Sequence, residues 1–258
     1  MTSLFRATLL IARRDFRAYF TSPVAYIIMA VFFSLMGFFF IRAVGYFLSV
    51  SQQFMQYSQG PRPTVSEIIV GGVYETMGVI LLFIVPAITM RLFAEERRDR
   101  TDVLLFSAPI DSWAIILGKF FAALGFVGVL LVGTLPYPII LLATSNLDPG
   151  ILFSSYCGLI LLVASFIAVG LFFSAMTENQ VIAFVLTMGS LLFMWVLAGA
   201  SYSVGPILGE IIRYASIFTH FSNFGAGVLD TSDILYYLSL IGLGLFATNL
   251  AFDANQWS

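Results

Sequence analysis

Seven ionisable residues fall within eight consecutive positions: Glu95, Glu96, Arg97, Arg98, Asp99, Arg100 and Asp102. An apolar turn follows (Val103, Leu104, Leu105, Phe106), and then Pro109 interrupts the helix pattern. A compact helix of mixed charge at the membrane face is suited to charge-assisted docking on a soluble partner. The plainer alternative is a solvated basic loop that fixes topology. That explains the arginines but not the acidic residues, which contribute little to topology. Other reactive types are sparse. His220 is the single histidine and Cys157 the single cysteine, so neither a histidine-rich metal site nor an intrachain disulfide can be built. His220 sits among Phe218, Phe221 and Phe224 and reads as a packed, hydrogen-bonded residue. Cys157 reads as packing. A phosphate-binding loop needs G-x4-G-K-[ST], but Gly118-Lys119 has Trp113 in place of the first glycine and Phe120 in place of the hydroxyl residue.

The elements that must position this cluster are membrane spans. The chain has 258 residues, of which 10% are charged and 60% hydrophobic, with 27 phenylalanines. Its mean hydropathy is +0.98. A soluble globule could not hide that much apolar surface behind so few charges. The net charge of -2, with no long basic stripe, excludes nucleic acid as a partner. Charge-free runs long enough to cross the hydrocarbon core, together with one short run between Glu75 and Arg91, place six spans at 23–48, 71–92, 115–143, 151–175, 179–200 and 233–252. The weak second span is supported by the basic residues. With six spans, Arg6, Arg13, Arg14, Arg17, Arg91, Arg97, Arg98, Arg100 and Lys119 share one side. Only Arg62 and Arg213 fall on the other, with Arg42 near that end of span one. Positive-inside bias then puts both termini in the cytoplasm.

Residues 1–22 carry Arg6, Arg13 and Arg17 on one helical face and Phe5, Leu9, Phe16 and Phe20 toward another, interrupted by Leu10 and Asp15. This predicts an interfacial amphipathic helix rather than a cleavable signal peptide. Asp111 or Ser112 can cap span three. Pro86, Pro136 and Pro138 predict kinks. Glu67, Glu75 and Arg42 are expected together at the outer ends. Residues 201–232 are too polar for a seventh span and too apolar for a free loop, so two short helices dipping into the outer leaflet fit.

The run Glu95-Glu96-Arg97, Thr101, Leu104 or Leu105, Pro109-Ile110 and Gly118-Lys119 resembles the motif after span two of ABC-2 type permeases, the membrane subunits of one class of ABC exporters. Arg100 departs from it, standing where the family often has glycine. SAMTENQVIAF (174–184) resembles the family's turn between spans four and five, and SIFTHFSNFGAGVLDTSDILYYLSL (216–240) resembles the gliding-motility (GldF-like) and copper-related (NosY-like) permeases.

The resemblance implies an all-α membrane protein in a bacterial inner membrane. It implies six spans, a cytoplasmic coupling segment over 94–112 and re-entrant outer helices over 201–232. It further implies a dimer with a second copy or a homologous permease, and a separate ABC ATPase subunit that binds ATP and Mg, leaving this chain without cofactor or catalytic residue. Coupling would fall to Glu95, Glu96, Arg97, Arg98, Arg100, Thr101, Leu104, Leu105 and Pro109. The outer segment would be carried by Phe218, His220, Phe221, Phe224 and Asp230. The alternative function is mechanical: an ATP-driven motility or anchoring subunit acting on a membrane partner with a periplasmic domain. A membrane enzyme or ion-coupled carrier would need embedded acid–base or metal groups, and the spans offer almost none.

Overall fold

The computed structural model describes residues 2–57, 64–98, 111–145, 147–200 and 205–256. Among them there is no strand, and six helical segments are long and apolar enough to cross a membrane. The fold is all-α. Helix α1 (Thr2–Thr21) leads into α2 (Pro23–Tyr57), the first span. A π-helical turn (Ser66–Gly71) runs into α3 (Gly72–Thr89), and α4 (Ala94–Arg98) follows after a tight turn. The third span is α5 (Ser112–Gly133) and α6 (Pro136–Thr144), broken where Pro136 starts the second piece. Then come α7 (Pro149–Met176), α8 (Gln180–Ala200), α9 (Pro206–Ala215), α10 (Ile217–Gly225) and α11 (Thr231–Gln256).

The short second span is resolved by its flanks. Helix and turn run from Ser66 to Arg98, well beyond the charge-free stretch. At the start, the Thr64 hydroxyl and the Glu67 carboxylate bond each other at 2.9 Å, and the Glu67 N–H reaches back to Thr64, so the pair caps the segment. Helix α3 passes through Pro86 without stopping. The first span is longer than expected. It continues past residue 48 to Tyr57, so Gln52, Gln53 and Gln56 extend a helix instead of opening a loop. Its 35 residues measure roughly 52 Å, against about 30 Å of hydrocarbon. Among the described residues no ion pair joins Arg42 to Glu67 or Glu75.

Helix α7 is the axis of the bundle. In its most apolar window 67% of residues are buried, against 17% in α2 and α8, which turn most of their surface outward. Small residues let neighbours approach closely. A Cβ on Gly170 would overlap Thr89 of α3, and one on Gly158 would sit 2.5 Å from Phe224 Cβ. On the far side, a Cβ on Gly244 of α11 would lie 2.9 Å from Ala168. At the other end of α11, the Ser112 hydroxyl donates to Asp253, tying that end to the start of α5. Helix α1 lies beside the same start, so both chain ends occupy one face of the bundle.

Helix α1 packs along α5 rather than standing free. Its inner stripe runs Thr8, Ile11, Asp15, Tyr19, at helical spacing. Asp15, which interrupts the amphipathic pattern read from sequence, therefore lies on the packed face. Gly118 makes room for Ile11, and the Tyr19 ring stacks on Phe126 at 5.0 Å. Phe5, Leu9 and Leu10 remain exposed on the other side.

Candidate coupling site on the face that carries both termini

Span two ends in a turn whose backbone groups need partners, because the last carbonyls of a helix have none within it. Two side chains from other spans supply them. Ser174, near the end of α7, accepts from the N–H groups of Phe93 (3.0 Å) and Ala94 (3.2 Å) and donates to the Met90 carbonyl (3.2 Å). One hydroxyl has one proton and two lone pairs, so Ser174 is used to capacity. Lys119, on α5, donates to the Leu92 carbonyl at 2.6 Å and lies 5.0 Å above the Phe93 ring. The turn from Met90 to Ala94 is thus held from span three and span four together.

Lys119 is 2% exposed, and a buried ammonium needs compensation. It pairs with Glu96 at 2.8 Å and lies 3.6 Å from Asp15. Arg14 extends the network, 2.7 Å from Asp15 and 3.5 Å from Glu96. The hydrogen bond to Asp15 raises the Arg14 pKa further above its ordinary value. Burial pushes the Tyr19 phenol in the same direction. Four groups on three elements, Arg14 and Asp15 on α1, Glu96 on α4 and Lys119 on α5, therefore brace α4 against the bundle.

Of the residues expected to couple, Glu95, Glu96, Arg97 and Arg98 form α4. Glu96 turns inward to Lys119, so it is not a free contact for a partner. Arg98 is exposed and, with Glu178, Asn179, Gln180 and Val181, lines a groove of about 400 Å³ beside the turn between spans four and five. Two segments singled out separately in the sequence thus meet on one surface. Arg100, Thr101, Leu104, Leu105 and Pro109 lie outside the described residues. Asp111 caps α5 by accepting from the Trp113 N–H at 3.1 Å. Sequence reasoning counted Lys119 as flanking charge, although a lysine seven residues into an apolar helix is the usual signal of a paired buried cation. Ser174 had no such signal; its partners are some 80 residues away.

The opposite face carries a second polar cluster. The predicted pair of short helices is present as α9 and α10. Helix α10 buries Ile217, Phe221 and Phe224 along one stripe, and Phe221 and Phe224 fill the notches at Gly78 and Gly158. Phe218 packs on Trp195 at 4.9 Å. Helix α10 therefore enters the bundle rather than lying on it. Ser154 donates to the Val228 carbonyl at 3.4 Å, and the Phe224 carbonyl accepts from the Gly227 N–H at 3.0 Å, so the returning backbone finds partners. Gly227, at φ +84°, makes the turn that a side chain would strain.

His220 is 4% exposed and bonded at both ring nitrogens. Nε2 faces the Tyr214 carbonyl at 2.8 Å, an acceptor only, so Nε2 carries a proton. Nδ1 lies 2.6 Å from Asp233, whose other oxygen accepts from Asn223 at 2.9 Å. Tyr236 stacks on the imidazole at 4.0 Å and donates to the Ala215 carbonyl. The carboxylate in this cluster is Asp233, which sequence reading passed over. Asp230, named instead, is exposed and bonds the Ser232 N–H at 2.9 Å, which holds its carboxyl below the usual carboxylate range and caps α11. With both nitrogens engaged, His220 fastens α10 to α11. Among the described residues no group of three or more histidine, cysteine or acidic side chains could hold a metal.

Comparison with known proteins fits this architecture. No curated protein matches the chain. The family model described as ABC-2 type transporter matches residues 6–227, from α1 through α10, and takes in the braced turn, the 177–180 turn and the short helices α9 and α10. The chain belongs to the ABC-2 type transporter family and is a multi-pass membrane permease subunit of an ABC transporter.

Proposed function

We propose that this permease is driven by a separate ATPase subunit that docks on the face carrying both termini, and that it works as an exporter in a bacterial inner membrane with that face in the cytoplasm. ATP and Mg belong to the ATPase, and no catalytic step falls to this chain. The observation that carries the reading is the clamped turn. A force applied to α4 reaches span four through Ser174 and span three through Lys119, with α1 coupled through Arg14 and Asp15. A solvated loop serving only topology has no need of such fastening. Docking would use Arg98 and Arg97 together with Glu178 and the residues of 99–112. A second permease, a copy or a homologue, would cover part of the outward faces of α2 and α8.

Eight basic residues among those described lie toward that face, which favours its facing the cytoplasm. On the other face α9 exposes Ile207, Leu208, Ile211 and Tyr214, an apolar strip suited to hydrocarbon rather than to an aqueous partner. This favours solute export over mechanical action on a periplasmic protein. Co-expression with a candidate ATPase tests the reading. Arg98→Glu should reduce co-purification and ATPase stimulation, while the chain stays folded. Unchanged association and stimulation would refute it.

A further inference from the structure

A cavity of about 350 Å³ lies between α1, the start of α2, the end of span two and α5. This is within the range of roughly 300–1,000 Å³ typical of small-molecule sites. Its wall is two-sided. Ala25, Ile28, Ala87 and Ile88 form an apolar portion, while Asp15, Tyr19, Arg91 and Glu95 supply polar groups. Ala18 and Val24, both exposed, mark its rim.

Two of these polar groups keep bonding capacity. The Tyr19 hydroxyl is fully enclosed and has no hydrogen-bond partner, and Asp15 Oδ2, also without a hydrogen bond, has the Lys119 ammonium 3.6 Å away. Buried polar atoms are rarely left so, and each such atom calls for an occupant. Arg91 and Glu95 make no ion pair among the described residues. Among the described residues the cavity therefore offers an unpaired guanidinium and a phenol on one hand, and on the other the Glu95 carboxylate and the Asp15 oxygen that Lys119 approaches, beside an apolar wall. We infer that it binds the head of a zwitterionic, amine-bearing phospholipid. The ammonium bonds Asp15 and Glu95, the phosphate bonds Arg91 and Tyr19, and the first part of an acyl chain lies along Ile28 and Ile88. The occupant is a bound lipid that fills the gap between α1 and the spans. Its placement in the cytoplasmic leaflet rests on the orientation proposed above, but binding itself does not depend on an ATPase.

The shared chemistry, an ammonium next to a phosphate, could also come from a soluble molecule, and the test separates the two. The full chain, without ATPase, is placed in nanodiscs of phosphatidylethanolamine, phosphatidylcholine and phosphatidylglycerol in equal parts, and retained lipid is read by native mass spectrometry. One phosphatidylethanolamine per chain is expected, retained in preference to the choline lipid, which has no N–H to donate, and to the anionic lipid. Tyr19→Phe keeps the ring on Phe126 and removes one hydrogen bond, so retention should fall about three- to tenfold. Ala87→Leu fills the apolar end and should abolish retention by a route that leaves the polar groups intact. Equal retention of all three lipids, no effect of either substitution, or equal competition by glycerophosphoethanolamine would overturn the inference. Failure here leaves ATPase docking untouched, and loss of docking leaves lipid retention untouched.

Discussion

Ser174→Ala isolates the fastening of the coupling segment. The substitution removes one oxygen and leaves a residue of nearly the same shape, so no cavity confuses the result. Two buried N–H groups, Phe93 and Ala94, lose their acceptor, and the Met90 carbonyl loses its donor. Each buried donor left unpaired costs about 1–3 kcal/mol. Allowing for relaxation of the turn, roughly 2–4 kcal/mol of local stability should vanish. At about 1.4 kcal/mol per decade, that is roughly a 30- to 700-fold rise in the opening equilibrium. Hydrogen exchange read by mass spectrometry reports it directly. Peptides covering 90–98 should exchange faster by that factor in Ser174→Ala, while α10 and α11 keep wild-type protection. Ser165→Ala is the control, because Ser165 bonds only the Leu162 carbonyl within its own helix. Unchanged exchange at 90–98, or a rise spread evenly over the chain, would refute the clamp.

Further outcomes follow from the same contacts. Lys119→Met and Glu96→Gln, combined in a double-mutant cycle on thermal stability, should show a coupling of about 1–3 kcal/mol, since the pair is buried and 2.8 Å apart; additive effects would exclude a direct pair. Gly118→Ala places a Cβ 2.7 Å from Ile11 and should cost about 1–3 kcal/mol by pushing α1 from α5, seen as a lower melting temperature in nanodiscs. His220→Phe leaves Asp233 with Asn223 alone and should cost about 3–5 kcal/mol, with faster exchange confined to 214–237. Glu96→Arg should lower stability of the isolated chain, because Glu96 faces inward to the buried Lys119; an unchanged melting temperature would contradict the network.

The architecture was largely legible because hydrocarbon imposes a length and a charge rule on every span. The shortness of the charge-free run between Glu75 and Arg91 could have argued against span two, but the shared side of the two basic groups decided it, and α3 is there. Asp111 reads as a cap from spacing alone and acts as one. The polar-apolar mixture at 201–232 pointed to two short helices, and α9 and α10 are those helices. The site was less legible. Charge counting treats Lys119, Glu96 and Asp15 as three surface charges on three segments. Only packing of α1 on α5, with Gly118 at the contact, turns them into one buried network. Ser174 belonged to a recognisable stretch, yet nothing local says that its hydroxyl meets Phe93 and Ala94. Asp233 was missed for a similar reason: at the start of an apolar span it looks like an interfacial anchor, and its role appears once α10 folds back against α11.

The central claim is that an ATPase takes hold where α4 and the turn at 177–180 share a surface. A photo-crosslinking amino acid placed at Arg98, at Glu178 and at Ile207, in membranes containing the whole transporter, tests it most directly. Positions 98 and 178 should yield an adduct with an ATPase of the P-loop class, and position 207 should yield lipid adducts only. An ATPase adduct from position 207, or none from 98 and 178, would contradict the account.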